Sequence, residues 1–309
     1  MIKIGSLVSL VQASRSKAEI KESVIKALDL INFKTDSQIR TVVIKPNLCY
    51  YWDASTGQTT DPLLVAAIID YARERYGSDI EIKVVEADAT TMRTKYAFVI
   101  LGYNKLAKEK NIELFNLSND ALDEKEVSIN GHMIKFKIPV SLIKSDLFIN
   151  VPKLKIHSLT KVTCAFKNIF GCIASQRKVV YHPFLNETIV AVNKILHPHL
   201  TIVDGLVALG RVPVKLGLIM ASVDPFSIDW IASQVMRYNP SKIGFLKVAL
   251  KEKLGDTDGI LTCGERVIMF RRNFPRENFV YSKLSQKTEK MLLMSYKKIV
   301  RDVVPAKYN

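Results

Sequence analysis

The fold is decided by "RTVVIKPN" (residues 40–47) and the two segments that follow it, "TTDPLLVAAIIDYARERYG" (59–77) and "IEIKVVEAD" (80–88). The first and last segments are short, apolar and β-branched, which is typical of buried strands. The middle segment predicts a helix, because Asp61 can cap it, Pro62 stands in its first turn and a glycine ends it. A strand, a helix and a second strand in this order favour two parallel strands joined by a crossover.

The same alternation continues along most of the chain. Further strands are predicted at "KSDLFINVPK" (144–153), "HLTIVDG" (199–205) and "LGLIMASVDP" (216–225). Further helices are predicted at "YAFVILGYNKLAKEKN" (96–111, broken near Gly102), "SLTKVTCAFKNIFG" (158–171) and "FSIDWIASQVMRYN" (226–239). Buried strands that alternate with helices predict an α/β fold, in which helices cover both faces of a mostly parallel sheet.

Two parts of the chain depart from this alternation. Residues 124–140 contain alternating strands around an Asn-Gly pair, which predicts a β-hairpin inserted into the α/β domain. We therefore expect an α/β domain over residues 1–245 and a C-terminal extension, 246–309, that packs on it. Within the extension, "RVIMFRRNF" (266–274) is interpreted as a late strand and residues 286–309 as a basic amphipathic helix.

Composition places the chain among globular proteins, with 309 residues, 48% of them hydrophobic and 24% charged. The first residues loosely resemble a signal peptide, but Ser16 to Glu19 form a capping-box pattern before a helical repeat, so a first strand and helix are favoured. The four cysteines, Cys49, Cys164, Cys172 and Cys263, form no CxxC pair. We therefore expect no iron–sulfur cluster, no zinc ribbon and a reducing cytoplasm.

Charge is distributed unevenly between the two halves of the chain. The net charge of the whole sequence is +15; residues 1–150 carry a net charge of +1 and residues 151–309 carry +14. Such an asymmetry indicates an anionic partner, which includes nucleic acid, a phospholipid surface and an anionic metabolite as possibilities.

Polar and charged residues follow the predicted strands where each strand ends. They are Lys45, Asn47, Glu86, Asp88, Lys153, Asp204 and Asp224. If all these strands are parallel, their carboxyl ends share one edge of the sheet, where open α/β sheets bind ligands. Capping and ordinary loop polarity also explain single polar residues at such positions, and Asp224 suits a helix cap.

The segment "NVPKLKIHSLTKVTCAFKNIFG" (150–171) contains four lysines and a histidine and no acidic residue. On a helical wheel, the side opposite the apolar residues carries small and hydroxyl-bearing side chains with a single lysine, Lys167. An exposed face would show Glu–Lys pairs instead. The pattern predicts a face that lines a cavity, together with Lys153, Lys155 and His157 from the preceding loop.

Several of these motifs together resemble domain-of-unknown-function family 362. They are "VVIKPNL" from Val42, the pair Thr59-Thr60, the block from Pro152 to Gly171, "VDG" at Val203 and "DPFSID" from Asp224. The resemblance covers about residues 40–240. Many members of that family carry a downstream ferredoxin-like cysteine cluster, which this sequence lacks, and the chemistry of the family is largely unassigned. The resemblance therefore implies a site without naming its reaction.

The predicted site combines the residues that match the family with their neighbours. The predicted catalytic residues are Lys153, Lys155, His157 and Lys167. The predicted substrate-binding residues are Lys45, Asn47, Thr60, Thr163, Asn168, Lys178 and His182. Asp204, Asp224 and Asp229 are candidate ligands of a divalent metal, with helix capping and charge balance for the lysines as alternatives.

Lysines, a histidine and hydroxyl groups at a sheet edge suit phosphate or carboxylate groups. The first hypothesis is therefore an enzyme that acts on a small anionic metabolite, with a lysine as base or nucleophile. The alternatives are a nucleic-acid-binding protein that uses the basic half and a non-catalytic partner subunit. The sequence lacks GxGxxG, GxxxxGK[ST], HExxH and GxSxG patterns, which disfavours dehydrogenases, P-loop NTPases, zincins and α/β-hydrolases.

Overall fold

Strands and helices alternate in the computed structural model of the chain, which describes residues 6–14, 16–35 and 38–275. The strands are β1 (Leu7–Gln12), β2 (Thr41–Pro46), β3 (Glu81–Glu86), β4 (Glu113–Asn116), β5 (Leu122–Ile129), β6 (His132–Pro139), β7 (Leu147–Val151), β8 (Lys153–His157), β9 (Lys161–Thr163), β10 (Leu200–Leu209), β11 (Pro213–Ser222) and β12 (Leu261–Gly264). The helices are α1 (Lys17–Leu30), α2 (Pro62–Tyr76), α3 (Thr94–Ile100), α4 (Tyr103–Lys110), α5 (Val140–Lys144), α6 (Ala165–Phe170), α7 (Leu185–Ile195), α8 (Pro225–Val235), α9 (Gly244–Lys251) and α10 (Val267–Asn273).

One large sheet organises the molecule. Its strand order is β12-β1-β11-β10-β7-β2-β3-β4, and β8 and β9 form a branch beside β10. The pairs β2–β3, β2–β7, β3–β4, β7–β10 and β1–β12 are parallel, whereas β11 is antiparallel to both of its neighbours. The predicted α/β fold with a mostly parallel sheet is confirmed.

Each face of the sheet has its own hydrophobic core. Alternate residues of a strand point to opposite faces, so Val42 and Ile44 join one core while Val43 joins the other. The first core packs against α1, α2, α3 and α4, and the second against α6, α7, α8 and α9. Because helices cover both faces, a ligand can approach the sheet at the carboxyl ends of its strands, which we call its carboxyl edge.

The first crossover has the geometry that its sequence predicts. Strands β2 and β3 are parallel, and Thr41 lies opposite Glu81 in their register. Asp61 caps α2, because its Oδ1 accepts a hydrogen bond from the Leu63 amide at 3.0 Å. Gly77 follows the helix with φ +105°, a backbone angle that suits glycine. The cap brings the loop between β2 and α2 back over the carboxyl edge of the sheet.

The inserted hairpin is also present. Strands β5 and β6 pair along their full length, and Asn130 and Gly131 make the turn with φ of 50° and 81°. These left-handed angles suit a two-residue turn of the Asn-Gly type. Ile134 and Phe136 are buried in the core beside α7. The hairpin thus covers the second face of the sheet, and its β6 strand also bonds the segment after α6, where the Ala174 amide donates to the Lys137 carbonyl at 3.1 Å.

Two local predictions are wrong. Residues 158–171 do not form one helix, because Lys161–Thr163 pair with β8 as β9 and the helix begins at Ala165. The hydroxyl-rich stripe of the helical wheel is therefore divided between a strand and a helix. Residues 266–274 contain helix α10 instead of a strand. Its Phe270 is buried and the arginines beside it are exposed.

The prediction that Asp224 joins the other strand ends is wrong as well. Strand β11 follows β10 after a short turn and runs antiparallel to it, so Ser222 at its end lies opposite Thr201 near the start of β10. Asp224 therefore lies at the amino-terminal edge of β10. There it caps α8, with its Oδ1 accepting a hydrogen bond from the Phe226 amide at 3.0 Å.

The basic helix predicted over residues 286–309 lies outside the described residues. In the part of the extension that is described, β12 pairs in parallel with β1, and α10 packs near α8. No helix in the described part of the chain combines the length and the apolar character needed to cross a membrane.

Gly57 provides a test of how the β2–α2 loop packs on the sheet. A β-carbon at Gly57 would stand 2.7 Å from the Ala208 carbonyl oxygen, and φ there is +73°. Gly102 has a similar φ, +82°, with open space around it. We expect Gly102→Ala to lower the free energy of unfolding by about 1 kcal/mol, and Gly57→Ala by about 2 kcal/mol more, measured by urea denaturation. Equal losses would contradict the close packing of this loop on β10.

Candidate functional site

Two buried ion pairs hold neighbouring strands together at the carboxyl edge of the sheet. Lys45 Nζ on β2 lies 2.8 Å from Glu86 Oε2 on β3, and Lys153 Nζ on β8 lies 2.8 Å from Asp204 Oδ2 on β10. All four side chains are almost completely buried. A buried charge is tolerated when it is paired and hydrogen-bonded. Four of the predicted strand-end residues thus contact one another in two pairs.

The two acids of these pairs also accept hydrogen bonds from the backbone. Glu86 accepts from the amides of Leu48 and Ala87 at 3.2 and 2.9 Å. Asp204 accepts from the amides of Asp61 and Leu206 at 2.7 and 3.0 Å. Each carboxylate is thus bonded to one lysine and to two backbone amides.

Asp88 is a third acid at this edge, and it too is engaged by its neighbours. Its Oδ1 accepts from the Thr94 amide at 2.8 Å and from Asn116 Nδ2 at 3.2 Å, and Oδ2 lies 3.4 Å from an Arg93 guanidinium nitrogen. The carboxylate fixes the loop after β3 and the start of α3. It therefore adds negative charge to the edge without pairing directly with the site lysines.

A network of amides positions helix α6 over the strand ends. Asn168 Nδ2 donates to the Lys45 carbonyl at 3.1 Å and to Asn150 Oδ1 at 2.7 Å, and Asn168 Oδ1 accepts from Asn47 at 3.0 Å. Thr60 Oγ1 accepts from the Asn47 amide and donates to the Val151 carbonyl. Asn168 and Thr60 were both predicted to bind substrate. In the structure, their side chains form hydrogen bonds with other residues of the protein.

Three lysines at this edge have no ion pair with a carboxylate in the described part of the chain. Lys155 Nζ donates to the Gln58 carbonyl at 2.8 Å, and Lys178 Nζ donates to the Asp88 carbonyl at 2.7 Å. Lys167 Nζ lies 5.5 Å from the centre of the Phe170 ring, a cation–π distance. We call Lys155, Lys167 and Lys178 the lysine cluster.

Burial and mutual repulsion disfavour the charged forms of these lysines. Burial, followed by the nearby charge of Lys155, lowers the pKa of Lys167 to about 8. Burial lowers the pKa of Lys178 to about 8 as well, although Glu86 partly opposes the shift. Burial also lowers the pKa of Lys155. An anion beside the cluster would offset both effects.

His157, at the end of β8, is held as a neutral imidazole. Burial, with Lys167 and Lys155 as the next causes, lowers its pKa to about 2. Its Nδ1 accepts hydrogen bonds from the amides of Leu159 and Thr160 at 3.2 and 3.3 Å. Because Nδ1 is an acceptor, the proton of the neutral ring is on Nε2, which is a donor. His182 is exposed and near enough to contribute to the same pKa shift.

The three aspartates proposed as metal ligands do not come together. Asp204 pairs with Lys153, and Asp224 caps α8 at the opposite edge. Asp229 accepts hydrogen bonds from the amides of Ala165 and Phe166 at 2.8 Å each, so it fixes the start of α6. Among the described residues, no group of three or more His, Cys, Asp or Glu side chains is arranged to hold a metal ion.

In the loop between β2 and α2, sequence reasoning found Asn47 and Thr60 but missed Cys49 and Gln58. Cys49 Sγ lies 3.7 Å from Gln58 Oε1, and Gln58 also supplies the carbonyl that binds Lys155. The position of Cys49 just after the end of β2 was a usable signal. Thr163, which was predicted, lies directly opposite Lys155 in the β8–β9 pair, and its buried Oγ1 has no hydrogen-bond partner in the described part of the protein.

The site lies within the part of the chain that matches a known protein family. The family model described as "Domain of unknown function (DUF362)" matches residues 42–234. The chain belongs to this family. The matched range contains every predicted site residue, from Lys45 to Asp229, so the DUF362 domain includes both the ion pairs and the lysine cluster.

A thylakoid-associated protein of Synechocystis sp. is 26% identical to this DUF362 chain over 228 residues, which covers 69% of this chain and 68% of that protein. Two solved structures are more distant, each 12% identical. A Thermotoga maritima protein matches 78% of this chain with a TM-score of 0.41, and the lactate racemase apoprotein of Thermoanaerobacterium thermosaccharolyticum matches 76% with a TM-score of 0.44. The chain spans 59% and 58% of those two proteins.

Removing the charge of Lys167 should stabilise the protein near neutral pH. The pKa is lower in the folded protein than the ordinary value of 10.5, so below about pH 8 the folded state carries a charge that its surroundings disfavour. We expect Lys167→Met to raise the free energy of unfolding at pH 7 by about 1–2 kcal/mol, a value reduced for partial exposure. The gain should shrink as pH rises from 8 to 10.5, because the wild-type lysine then loses its proton.

The matched control is Lys161→Met, which removes one exposed charge six residues earlier. Its effect on unfolding should stay near zero at every pH. Urea denaturation at a series of pH values measures both variants. Identical profiles for the two would show that Lys167 behaves as an ordinary solvated lysine.

Proposed function

We propose that this DUF362 protein is an enzyme acting on a small metabolite that carries a phosphate or carboxylate group. The substrate's anionic group would bind at the carboxyl edge of the sheet, between α6 and the loop that follows β2. One observation carries the proposal: Glu86 and Asp204 are already bonded to Lys45, Lys153 and backbone amides, whereas the lysine cluster has no ion pair in the described residues.

Excess positive charge in a largely buried place calls for a compensating anion. Each lysine of the cluster loses solvation and repels the others, and both effects are relieved when a negative group binds. Phosphate and carboxylate oxygens accept the hydrogen bonds that an ammonium group offers. Burial and repulsion between lysines lower the pKa of Lys167 and Lys178 when no anion is bound. An anion relieves both effects, so they favour its binding.

The three lysines are suited to different roles. Lys155 and Lys178 each donate to a backbone carbonyl, which fixes the position of their amino groups and suits them to bind an anion. Lys167 makes no hydrogen bond to the described residues, and with a pKa of about 8 roughly a tenth of it is neutral at pH 7. We assign Lys167 the role of base or amine nucleophile, and His157 that of a neutral Nε2–H donor.

We infer a reducing compartment such as the cytoplasm as the site of action. The four cysteines are all free thiols. Disulfides are common in oxidising compartments and rare in the cytoplasm, so this thiol state agrees with the inference. Fractionation of cells followed by immunodetection tests it, and recovery of the protein in a secreted fraction would oppose it.

Phosphate should stabilise the folded protein by mass action. At 100 times its dissociation constant, a ligand adds about 2.7 kcal/mol, which for a chain of this size raises Tm by several degrees. Because the anion binds the charged lysines, the gain should be present at pH 7 and shrink as pH rises through about 8. Differential scanning fluorimetry with phosphate or citrate, against sodium chloride at equal ionic strength, measures the shift.

Three variants separate specific binding from the general stabilising effect of such salts. Lys155→Met and Lys167→Met should lose most of the shift in Tm, whereas Lys161→Met, outside the cluster, should keep it. If the wild type shows no shift beyond chloride, or if all three variants respond alike, the lysine cluster is not an anion site.

A further inference from the structure

Cys49 lies next to the lysine cluster in the loop that follows β2. Its thiol donates a weak hydrogen bond to Gln58 Oε1 at 3.7 Å, and Lys155 Nζ donates to the backbone oxygen of the same residue at 2.8 Å. The thiol and the ammonium group are therefore both hydrogen-bonded to the same residue, Gln58. Cys49 is partly exposed.

The electrostatic coupling of Cys49 with the lysines agrees with this geometry. Burial lowers the pKa of Lys155, and negative charge on Cys49 is the strongest effect that opposes the shift. The same charge opposes the lowering of the pKa of Lys167, which burial and Lys155 cause. The Cys49 sulfur is thus close enough to Lys155 and Lys167 to interact with both electrostatically, and partly exposed cysteines in electropositive surroundings are the ones that react.

The other three cysteines have different surroundings. Cys164 and Cys172 are fully buried, and burial raises the pKa of each thiol. Burial also raises the pKa of Cys263, whose thiol donates to the carbonyls of Val8 and Leu30. Of the four cysteines, Cys49 is the one that is both partly exposed and next to the lysine cluster, because Cys172, which lies near Lys45 and Lys178, is fully buried.

The surroundings of Lys155 also contain an unused polar group. Thr163 is 2% exposed, lies directly opposite Lys155 in the β8–β9 pair, and has an Oγ1 without a hydrogen-bond partner among the described residues. A buried hydroxyl is normally satisfied by protein or by a bound molecule. A polar ligand bound at Lys155 would satisfy this hydroxyl.

We propose that Cys49 is a modification site, and that it forms a mixed disulfide with a small disulfide carrying carboxylate groups held by Lys155 and Lys167. The inference rests on the proposed anion site and adds a regulatory function to it. The adduct would place its own carboxylates among the lysines and so exclude the substrate. Reduction of the mixed disulfide would open the site again.

The exchange is balanced without a further reactant. The Cys49 thiol loses its proton to solvent, and the thiolate attacks one sulfur of the small disulfide. A new sulfur–sulfur bond forms, the old one breaks, and the second half leaves as a thiolate with the bonding electron pair. Cys49 is oxidised and the departing half is reduced.

The experiment compares two disulfide reagents on the full chain: dithiobis(nitrobenzoate), which carries two carboxylates, and dithiodipyridine, which carries none. Release of the coloured thiol gives the rate for each, and each rate is divided by that of free cysteine to remove intrinsic reactivity. We expect the normalised rate of the anionic reagent to exceed that of the neutral one by about tenfold at low salt, because a cationic site raises the local concentration of anions.

Three changes should remove this preference. Cys49→Ser should abolish the fast reaction, Lys155→Met should lower the anionic preference, and added sodium chloride should lower it in the unmodified protein, where folding is not in question. Lys161→Met should leave it unchanged. Equal normalised rates for the two reagents, or a fast reaction that persists in Cys49→Ser, would overturn the proposal.

The adduct also separates this inference from the proposed function. Protein modified at Cys49 by the anionic reagent should lose the phosphate-dependent rise in Tm, and a reducing agent should restore it. If unmodified protein responds to phosphate but Cys49 shows no preference for the anionic reagent, the modification site fails and the anion site stands. If phosphate has no effect on the unmodified protein, the proposed function itself fails.

Discussion

The buried ion pairs Lys45–Glu86 and Lys153–Asp204 are the interaction on which the site depends. Each pair joins two strands at the carboxyl edge of the sheet through a contact of 2.8 Å. Asp204 also binds the Asp61 amide at the start of α2, so one carboxylate fixes a strand, a lysine and a helix cap together. Each acid is thus bonded to one lysine and two backbone amides, and neither forms an ion pair with the lysine cluster. The resulting excess of positive charge is the basis of the function that we propose.

Much of the architecture could be predicted because its signals are local. The Asp61–Pro62 start of α2, the Asn130–Gly131 turn and the β-branched strands each depend on neighbouring residues. Two errors arose from pairing between distant residues. Strand β9 is three residues long and exists because it pairs with β8, which no local pattern indicates. The direction of β11 is set by its short connection to β10, and the turn around Gly210 was a signal that could have shown this. That direction moved Asp224 away from the site.

The candidate site could be predicted in part for the same physical reason. Residues that end parallel strands meet at one edge, and Lys45, Glu86 and Lys153 do so. Which of them are bonded to the protein and which are available to a ligand depends on hydrogen bonds across the fold. Thr60 and Asn168 bind the backbone, whereas Lys167 has no such partner among the described residues. Composition and spacing carry no information about that division.

The most direct test is to measure the pKa of the lysine amino groups in the folded protein. Nuclear magnetic resonance of protein with labelled lysine side chains, assigned with Lys167→Met and Lys178→Met, would follow each group through a pH titration with and without phosphate. The account predicts that Lys167 and Lys178 titrate near pH 8 without phosphate and that both pKa values move upward when it is added. Titration of Lys167 and Lys178 above pH 10 in both conditions would contradict the account, because the cluster would then have no excess charge for an anion to relieve.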